Sequence, residues 1–357
     1  MRRIAAVAVA VAAVGLTACG SDKESSGTST APSSAQRLDP HRMVDLQSHR
    51  GGRGLLVEES LAAYAHSIEI GVSTLELDIV LTADKAPLIW HDPVIQAEKC
   101  ADTAPAFPGD PKFPYVGKLV HELTYDQVRT LDCNKTLPKF PEQQPVPGNK
   151  IAKLPELFDL VKSYPGAFEA LRYNIETKIE AEHPEQSATP QEFVDIILDE
   201  VNKAAATDKT EIQSFDWSSL PLVKAKNPAI PTVALYDNST FTPHSRWLGP
   251  IHYEDHKADP LAAVKALGAD IASPSYVEPW DTDNTFGSPG FKMAVTTTDV
   301  QKAHNLGLKI IPWSINDKPA IAAQIDTGVD GIITDYPNRM REVMQEKGLP
   351  LPPAFHK

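Results

Sequence analysis

Two histidines and three acidic residues in this chain lie at or just beyond the ends of apolar runs that are typical of β-strands. The histidines are His49 and His91, and the acids are Glu76, Asp78 and Glu176. Imidazole titrates near neutral pH, so a pair of them can take a proton from one group and give a proton to another. Three carboxylates are a ligand set that suits a hard divalent cation such as Ca²⁺ or Mg²⁺.

Two basic residues stand next to these groups in the sequence. Arg50 follows His49 directly, and Lys178 lies two residues after Glu176. A guanidinium matches the oxygens of a phosphate, and an ammonium adds a second positive charge. Taken with the histidines and the acids, the two cations predict a metal-assisted site that cleaves a phosphodiester.

Strand-like and helix-like stretches alternate from Met43 onward, a pattern typical of a parallel sheet. The predicted strands are Met43–Ser48, Thr74–Val80, Ala86–Trp90, Leu171–Glu176, Glu211–Phe215, Thr232–Tyr236, Asp270–Pro274, Lys309–Trp313 and Gly331–Thr334. The predicted helices are Leu61–Ile70, Leu154–Val161, Gln191–Ala205, Pro260–Leu267, Thr298–Leu306 and Pro319–Thr327. This is one strand more than a (β/α)₈ barrel needs, so we expect one strand to be an appendage.

The second and third strands are too close in sequence for a parallel crossover, because only residues 81–85 separate them. We therefore expect a hairpin. A symmetric turn puts Glu76 opposite His91 and Asp78 opposite Ile89. Alternation along the strands then places Glu76, Asp78 and His91 on one face of the hairpin.

The N-terminus predicts an exported lipoprotein. An apolar run from Ile4 to Val14 follows two arginines and is too short to span a bilayer as a mature helix. The run is followed by Leu16-Thr17-Ala18-Cys19-Gly20, which is similar to the lipobox of bacterial lipoproteins, where the cysteine becomes the lipidated first residue. An ordinary secretory signal with a chance cysteine is the alternative. We expect a signal peptide over residues 1–19 and an extracytoplasmic protein that is lipid-anchored to a bacterial membrane or secreted.

The remaining chain divides into three parts, and the second of them contains an insertion. Residues 20–40 have almost no apolar side chains and predict a flexible tether. Residues 41–345 predict one catalytic domain, and residues 346–357 a C-terminal tail. Within the domain, residues 96–150 are rich in Pro, Gly and Lys and predict an insertion with little regular structure. Because this insertion follows His91, we expect it to lie over the site.

The cysteines predict a disulfide within that insertion. If Cys19 carries a lipid, Cys100 and Cys133 are left, and an even pair in an exported protein favours a bond. The bond would close a loop of about 33 residues. Two free buried thiols are the alternative.

The net charge of −13 argues against two classes of partner. Nucleic acids and anionic lipid surfaces both require basic patches, so we expect neither, and any membrane contact is expected through the lipid anchor alone. An acidic balance is compatible with binding a divalent cation.

The motifs that carry these residues resemble those of the glycerophosphodiester phosphodiesterase family. In chain order they are His49-Arg50-Gly51, Glu58-Glu59-Ser60-Leu61-Ala62-Ala63-Tyr64, Glu76-Leu77-Asp78, Thr82-Ala83-Asp84-Lys85, His91-Asp92, Glu176-Thr177-Lys178, Trp313-Ser314-Ile315-Asn316 and Gly328-Val329-Asp330-Gly331-Ile332-Ile333-Thr334-Asp335-Tyr336-Pro337. The resemblance runs from about Asp45 to Met340. Val57, Glu59 and Lys85 stand where the family has Pro, Asn and Gly, and none of these departures removes an acid, a base or a ligand.

The resemblance implies a fold and a reaction. The fold is an α/β, (β/α)₈ TIM barrel of the phosphatidylinositol phospholipase C-like type, with an insertion after the strand that carries His91. The reaction is hydrolysis of glycerophosphodiesters to sn-glycerol 3-phosphate and an alcohol, in which the glycerol hydroxyl of the substrate attacks first and water opens the resulting cyclic phosphate. The small-molecule diester is the expected partner.

The resemblance also implies roles for single residues. His49 and His91 are expected to be the acid–base pair, and the ligands of Ca²⁺ or Mg²⁺ are expected to be Glu76, Asp78 and Glu176. Arg50 and Lys178 are expected to bind the phosphate. Trp313 either lines the substrate pocket or packs in the core.

Three other functions remain open at this point. One is phospholipase D-type action on lysophospholipids or sphingolipids by the same barrel. Another is a solute-binding lipoprotein of a transporter, which would need two lobes and no paired histidines. The last is a catalytically dead scaffold, which the intact His, Glu, Asp and Lys positions disfavour.

Overall fold

A ring of parallel strands forms the centre of the protein in the computed structural model, which describes residues 41–256, 258–280 and 285–357. The strands are β1 (Asp45–Ser48), β2 (Thr74–Leu81), β3 (Pro87–Ile89), β4 (Arg172–Thr177), β5 (Thr210–Ser214), β6 (Thr232–Tyr236), β7 (Ile271–Pro274), β8 (Lys309–Ile310) and β9 (Gly331–Thr334). Neighbours follow the order β8-β7-β6-β5-β4-β2-β1-β9. The proposed signal peptide, Cys19 and the tether lie outside the described residues.

Hydrogen bonds between β9 and β8 close the ring. The amides of Asp330 and Ile333 donate to the carbonyls of Ile310 and Pro312 at 3.0 Å each. The predicted (β/α)₈ barrel is therefore confirmed. Strand β8 is three residues shorter than predicted. The amides of Ile311 and Trp313 still donate to the carbonyls of Ala272 and Pro274 at 3.0 Å each, but Pro274 and Pro312 have no amide hydrogen to donate in return.

Helices surround the ring, and all six predicted helices are present with ends within two residues of the prediction. Those in the described residues are α1 (Leu61–Ile70), α2 (Tyr125–Val128), α3 (Leu154–Lys162), α4 (Ala167–Ala170), α5 (Pro190–Lys203), α6 (Ser219–Lys226), α7 (Tyr253–His256), α8 (Pro260–Leu267), α9 (Thr297–Asn305), α10 (Lys318–Asp326) and α11 (Pro337–Glu346). Helix α5 begins with a capping box between Thr189 and Glu192 and has Pro190 at its first position. Among the residues that the structure describes, no helix is both long enough and apolar enough to cross a bilayer.

Strand β3 is the predicted appendage, and it pairs antiparallel with β2. The predicted register is wrong by one residue, since Ile89 lies opposite Ile79 and not opposite Asp78. Three residues rather than two form the loop between the strands, and Lys85 takes a left-handed conformation there, with φ 64°. His91 lies beyond the end of β3, so strand alternation does not place it beside the acids.

The insertion after β3 has little regular structure, as predicted, but it has a hydrophobic core of its own. The disulfide between Cys100 and Cys133 is present, which confirms the predicted pairing. The bonded cysteines pack with buried apolar residues of the insertion and of the β2–β3 hairpin, namely Val80, Leu88, Trp90, Ile95, Tyr115, Val120, Leu123, Val128, Leu131 and Ile151. The sequence did not predict this core, because its apolar residues are scattered along the chain and meet only where they converge on the hairpin.

The C-terminal residues pack against the barrel domain. The amide of Phe355 donates to the carbonyl of Ile68 at 3.2 Å. Arg341 donates to the carbonyl of Pro352 at 2.7 Å, and Leu349 is buried. The segment predicted as a tail is thus docked on the outer helices.

A column of polar side chains fills part of the barrel interior. Gln47 donates to Glu211 at 3.0 Å, and Asn174 donates to Gln47 at 2.8 Å and to Gln213 at 3.0 Å. Gln213 in turn donates to Glu76 at 2.6 Å. All five side chains are buried, so each polar atom depends on its neighbours for hydrogen bonds. The column ends at one of the predicted metal ligands.

Candidate active site

A cavity of about 500 Å³ brings most of the predicted site residues together. They come from different strands of the barrel and from segments that follow strands, at the end where sites of such barrels lie. The predicted residues that line the cavity are His49, Arg50, Glu76, His91, Glu176 and Trp313. Asp78 and Lys178 lie next to this lining rather than in it, through their contacts with Arg50 and Glu176.

His49 is held by a carboxylate. Its Nδ1 lies 2.6 Å from Oδ1 of Asp335, which also accepts a hydrogen bond from Arg53 at 2.7 Å. Nε2 of His49 lies 4.0 Å from Oε2 of Glu76. Burial and the charge of Arg53 lower the pKa of His49 to about 4, although Asp335 acts in the other direction. The free imidazole is therefore neutral at pH 7 and able to accept a proton.

His91 has the same kind of partner. Its Nδ1 lies 2.9 Å from Oδ1 of Asp92. Lys99 contacts the other oxygen of Asp92 and lies 2.6 Å from Glu58. Burial, followed by the charge of Arg50, lowers the pKa of His91 well below its ordinary value. In both histidines, the carboxylate beside Nδ1 favours the tautomer with its proton on Nδ1. The lone pair of Nε2 is then free to accept a proton.

Sequence reasoning assigned no role to Asp92 or Asp335, although both stand in the motifs. Asp92 follows His91 directly, so its adjacency was a usable signal. Asp335 lies 286 residues from His49, and nothing local in the sequence links the two.

Three buried carboxylates form a cluster that fits a metal ion. Ligand atoms of Glu76, Asp78 and Glu176 all lie within 4.8 Å of one another. Burial and the charge of Asp78 raise the pKa of Glu76 well above its ordinary value. Oδ1 of Asp78 is buried and has no hydrogen-bond partner among the described residues. A hard cation would satisfy that oxygen and offset the repulsion among the three acids.

The two predicted phosphate-binding cations pair with acids of this cluster. Nε of Arg50 lies 2.9 Å from Oδ2 of Asp78, and Nζ of Lys178 lies 2.7 Å from Oε1 of Glu176. Burial raises the pKa of Glu176 to about 8 even though Lys178 opposes that rise. Arg50 reaches Asp78 from a left-handed backbone conformation, with φ 50°.

The motif departure at Glu59 is also accounted for. Glu59 is buried, and neither of its carboxyl oxygens has a hydrogen-bond partner among the described residues. Burial and the nearby charge of Asp78 raise the pKa of Glu59 well above its ordinary value. A neutral carboxyl matches the charge of the asparagine that the family has at this position.

Other residues of the cavity were missed from the sequence. On the insertion side, Arg53, Lys99 and Lys139 add positive charge. On the opposite side are three further aromatic residues, Phe215, Trp247 and Trp280. Most of these residues lie in loops beyond strand ends, where the sequence has no periodic pattern. Trp313 lines the cavity, and its half-buried ring also packs against buried core residues, so the structure combines its two predicted positions.

Comparison with known proteins supports the family assignment. The model of the glycerophosphoryl diester phosphodiesterase family matches residues 49–339. The glycerophosphodiester phosphodiesterase of Bacillus subtilis is 24% identical over 88% of this chain and 90% of its own length. Human lysophospholipase D GDPD1 is 21% identical over 83% of this chain and 85% of its own length.

A solved structure is similar over nearly the whole barrel. It is a Silicibacter pomeroyi protein assigned as a glycerophosphoryl diester phosphodiesterase, with a TM-score of 0.70 and 26% identity. The similarity covers 88% of this chain and 98% of that one. With the family match over most of its length and the barrel and cavity described above, this chain belongs to the glycerophosphoryl diester phosphodiesterase family.

Proposed function

We propose that the protein hydrolyses glycerophosphodiesters to sn-glycerol 3-phosphate and an alcohol, with the help of a divalent cation. The observation that carries the proposal is one cavity that contains two carboxylate-held histidines, His49 and His91, beside a buried cluster of three acids. Family membership and the curated relatives support the same reaction.

Glu76, Asp78 and Glu176 are the residues that would hold the cation, Ca²⁺ or Mg²⁺. When bound, it supplies positive charge to a non-bridging oxygen of the phosphodiester. Arg50 lines the cavity close to these acids, and we assign it to the phosphate. Lys178 adds charge next to Glu176 and contributes through the field of the site.

The two histidines transfer the protons of the reaction. In the first step, the 2-hydroxyl of the glycerol attacks phosphorus, and Nε2 of one imidazole takes its proton as the new P–O bond forms. The P–O bond to the head group breaks, and the other imidazole gives a proton to that leaving oxygen. Water then adds to the cyclic phosphate with the proton transfers reversed. Asp335 and Asp92 hold the two rings by Nδ1 throughout.

A panel of glycerophosphodiesters tests this proposal. Purified protein is assayed with added Ca²⁺ or Mg²⁺ and after exhaustive chelation. We expect sn-glycerol 3-phosphate to appear only with the cation, and re-addition to restore the rate. Full activity after chelation would contradict the metal assignment, and no turnover of any diester would contradict the reaction.

A second candidate is phospholipase D-type action on lysophospholipids or sphingolipids. The aromatic side of the cavity, with Trp280 42% exposed, favours it because an acyl chain could lie there. The similarity to a human lysophospholipase D points the same way. Two rates separate the two activities. One is the release of lysophosphatidate from a lysophospholipid, and the other is the release of sn-glycerol 3-phosphate from the deacylated diester.

For the cellular location, we propose an extracytoplasmic lipoprotein anchored through Cys19. Support comes from the sequence Leu16-Thr17-Ala18-Cys19-Gly20 and the polar stretch after it. Mass spectrometry of the N-terminal peptide from membranes should find an acylated cysteine. Replacement Cys19→Ser should abolish acylation, and an unchanged membrane fraction in that variant would contradict the anchor. A solute-binding role is disfavoured because the described residues from 41 onward form one barrel rather than two lobes.

A further inference from the structure

One wall of the cavity is built from aromatic rings, and three of the five tryptophans of the chain belong to it. The ring of Phe215 lies 6.4 Å from Trp247 and 5.4 Å from Trp313, measured between centroids. Trp280 lies 6.4 Å from Trp313. Consecutive rings are inclined at 78°, 84° and 54°, so the wall is curved rather than flat. We call these four residues the aromatic wall.

None of the rings of the aromatic wall is fully buried, although Trp313 also packs against core residues. Phe215, Trp247 and Trp313 are half-buried and Trp280 is exposed, and all four line the cavity. Trp313 is fixed by a hydrogen bond of 2.9 Å from its indole to the carbonyl of Ser273. The rings therefore present surface to a ligand, and that of Trp313 is held in place without it.

Charge is distributed unevenly around the cavity. Among the described residues that line it, every lysine and arginine comes before position 140, in the loop after β1 or in the insertion. Within the described part of the chain beyond Glu176, the only charged side chain in the lining is Asp237, which is 6% exposed. Oδ1 of Asp237 accepts hydrogen bonds from the amides of Ser239 and Thr240 at 2.6 and 3.0 Å, which fix the carboxylate.

We propose that the aromatic wall and Asp237 bind a quaternary ammonium head group, so that the preferred substrates are choline-type glycerophosphodiesters. This inference rests on the proposed function and names the alcohol that leaves. A quaternary ammonium has no N–H group to satisfy, and aromatic faces attract it through their quadrupoles. The phosphate of the same substrate meets the cations that line the cavity, and Lys178, outside the lining, lies 5.8 Å from the ring centroid of Phe215.

Other head groups fit this wall less well. A primary ammonium such as that of ethanolamine has three N–H donors to satisfy, and the faces of the aromatic rings offer them no acceptor oxygen. A second glycerol or an inositol would bury hydroxyls against indole and phenyl rings, which costs free energy without compensating hydrogen bonds. An apolar group of the same shape would keep the packing but lose the attraction of the rings and of Asp237.

The test compares glycerophosphocholine with its neutral isostere, the 3,3-dimethylbutyl diester, and with glycerophosphoethanolamine. We expect kcat/KM for the choline diester to be about tenfold above that for the isostere. Trp247→Ala should reduce this ratio several-fold, mainly through KM, and Trp247→Phe should retain most of it. Asp237→Asn, which keeps an oxygen for the Ser239 and Thr240 amides, should also reduce it. The matched control is Phe107→Ala, an aromatic residue that is 52% exposed and does not line the cavity.

Each result decides something different. Equal kcat/KM for the choline diester and the isostere, or a ratio unchanged in Trp247→Ala, would overturn the head-group inference while leaving diester hydrolysis intact. Turnover of lysophosphatidylcholine without turnover of glycerophosphocholine would overturn it in favour of an acyl chain on the wall. No turnover of any substrate with any divalent cation would instead refute the proposed function.

Discussion

Asp335 Oδ1 lies 2.6 Å from Nδ1 of His49, although 286 residues separate them in the chain. The two residues follow neighbouring strands, because Ser48 at the end of β1 pairs with Thr334 at the end of β9. Closure of the barrel therefore brings Asp335 into contact with His49. Gly331 makes the pairing possible, since a Cβ at that position would lie 2.7 Å from Asp45.

We predict that Asp335→Asn lowers kcat by roughly 10²–10⁴ while KM changes little. An amide at this position can present its NH₂ group to Nδ1, which would place the proton of His49 on Nε2 and block its use as a base. Arg53 would also lose a carboxylate partner. The nitrogen chemical shifts of the imidazole in free enzyme report the tautomer directly, and an unchanged tautomer with normal kcat would contradict the role of Asp335.

We predict that His49→Ala and His91→Ala each lower kcat by roughly 10²–10⁴, the usual range for a lost acid–base group. The folded state should survive, because each ring contacts the cavity rather than the apolar core. Steady-state kinetics on a glycerophosphodiester and circular dichroism of the same samples check both parts. A histidine whose loss leaves kcat near the wild-type value has no place in the mechanism.

We predict that Gln213→Leu weakens binding of Ca²⁺ or Mg²⁺ by about 10- to 100-fold. Gln213 donates to Oε1 of Glu76 at 2.6 Å, and partners of this kind orient metal ligands. Calorimetric titration with each cation measures the dissociation constant without reference to activity. The control is Gln324→Leu, which removes a buried amide from α10, far from the acids in the chain and outside the cavity lining. Equal affinities in the two variants would show that Gln213 does not position Glu76.

Most of the fold could be predicted because its signals are local. Strands and helices follow from apolar periodicity, and the barrel follows from their alternation. The hairpin register could not be predicted, because it depends on a left-handed Lys85 that adds one residue to the loop. The core of the insertion was missed because its apolar residues have no period and meet only in three dimensions.

The candidate site likewise has residues that the sequence predicts and residues that it does not. His49, His91 and the three acids carry recognisable residue types within motifs, and the structure brings them together. Phe215, Trp247, Trp280, Arg53 and Asp335 were assigned no role from the sequence because their positions depend on ring closure and on loops from distant strands.

We predict that replacing Cys100 and Cys133 together by serine destabilises the protein by up to about 3–4 kcal/mol, the entropy expected for a loop of 33 residues. The hydrophobic core of the insertion should keep it folded in the variant. Lys99, which contacts Asp92 and Glu58, precedes Cys100 directly, so KM for a diester should also rise. Urea unfolding and steady-state kinetics test the two effects, and a variant with wild-type values in both would show the bond to be dispensable.

We predict that Glu211→Gln makes stability less dependent on pH between about 4.5 and 7. Burial and the charge of Asp45 raise the pKa of Glu211 from 4.5 to about 7, although Arg172 opposes the rise. In that window the folded state holds a proton that the unfolded state has lost, so the free energy of unfolding falls as pH rises. The difference between the two pKa values corresponds to at most about 3 kcal/mol. Glutamine carries no such titration and can still accept the hydrogen bond from Gln47.

Urea unfolding of wild type and Glu211→Gln at pH 5 and pH 8 measures this effect. The wild type should lose stability relative to the variant on going from pH 5 to pH 8, and the subtraction removes groups that titrate in both proteins. Gln47→Glu is not a suitable control because it would add charge to the same column. Glu200→Gln is suitable, since Glu200 is on the outside of the barrel in α5 and pairs with Lys203. The contrary result is a stability difference between wild type and Glu211→Gln that is the same at both pH values. It would mean that Glu211 is ionised throughout this range, because its interactions with Arg172 and Gln47 outweigh the cost of its burial.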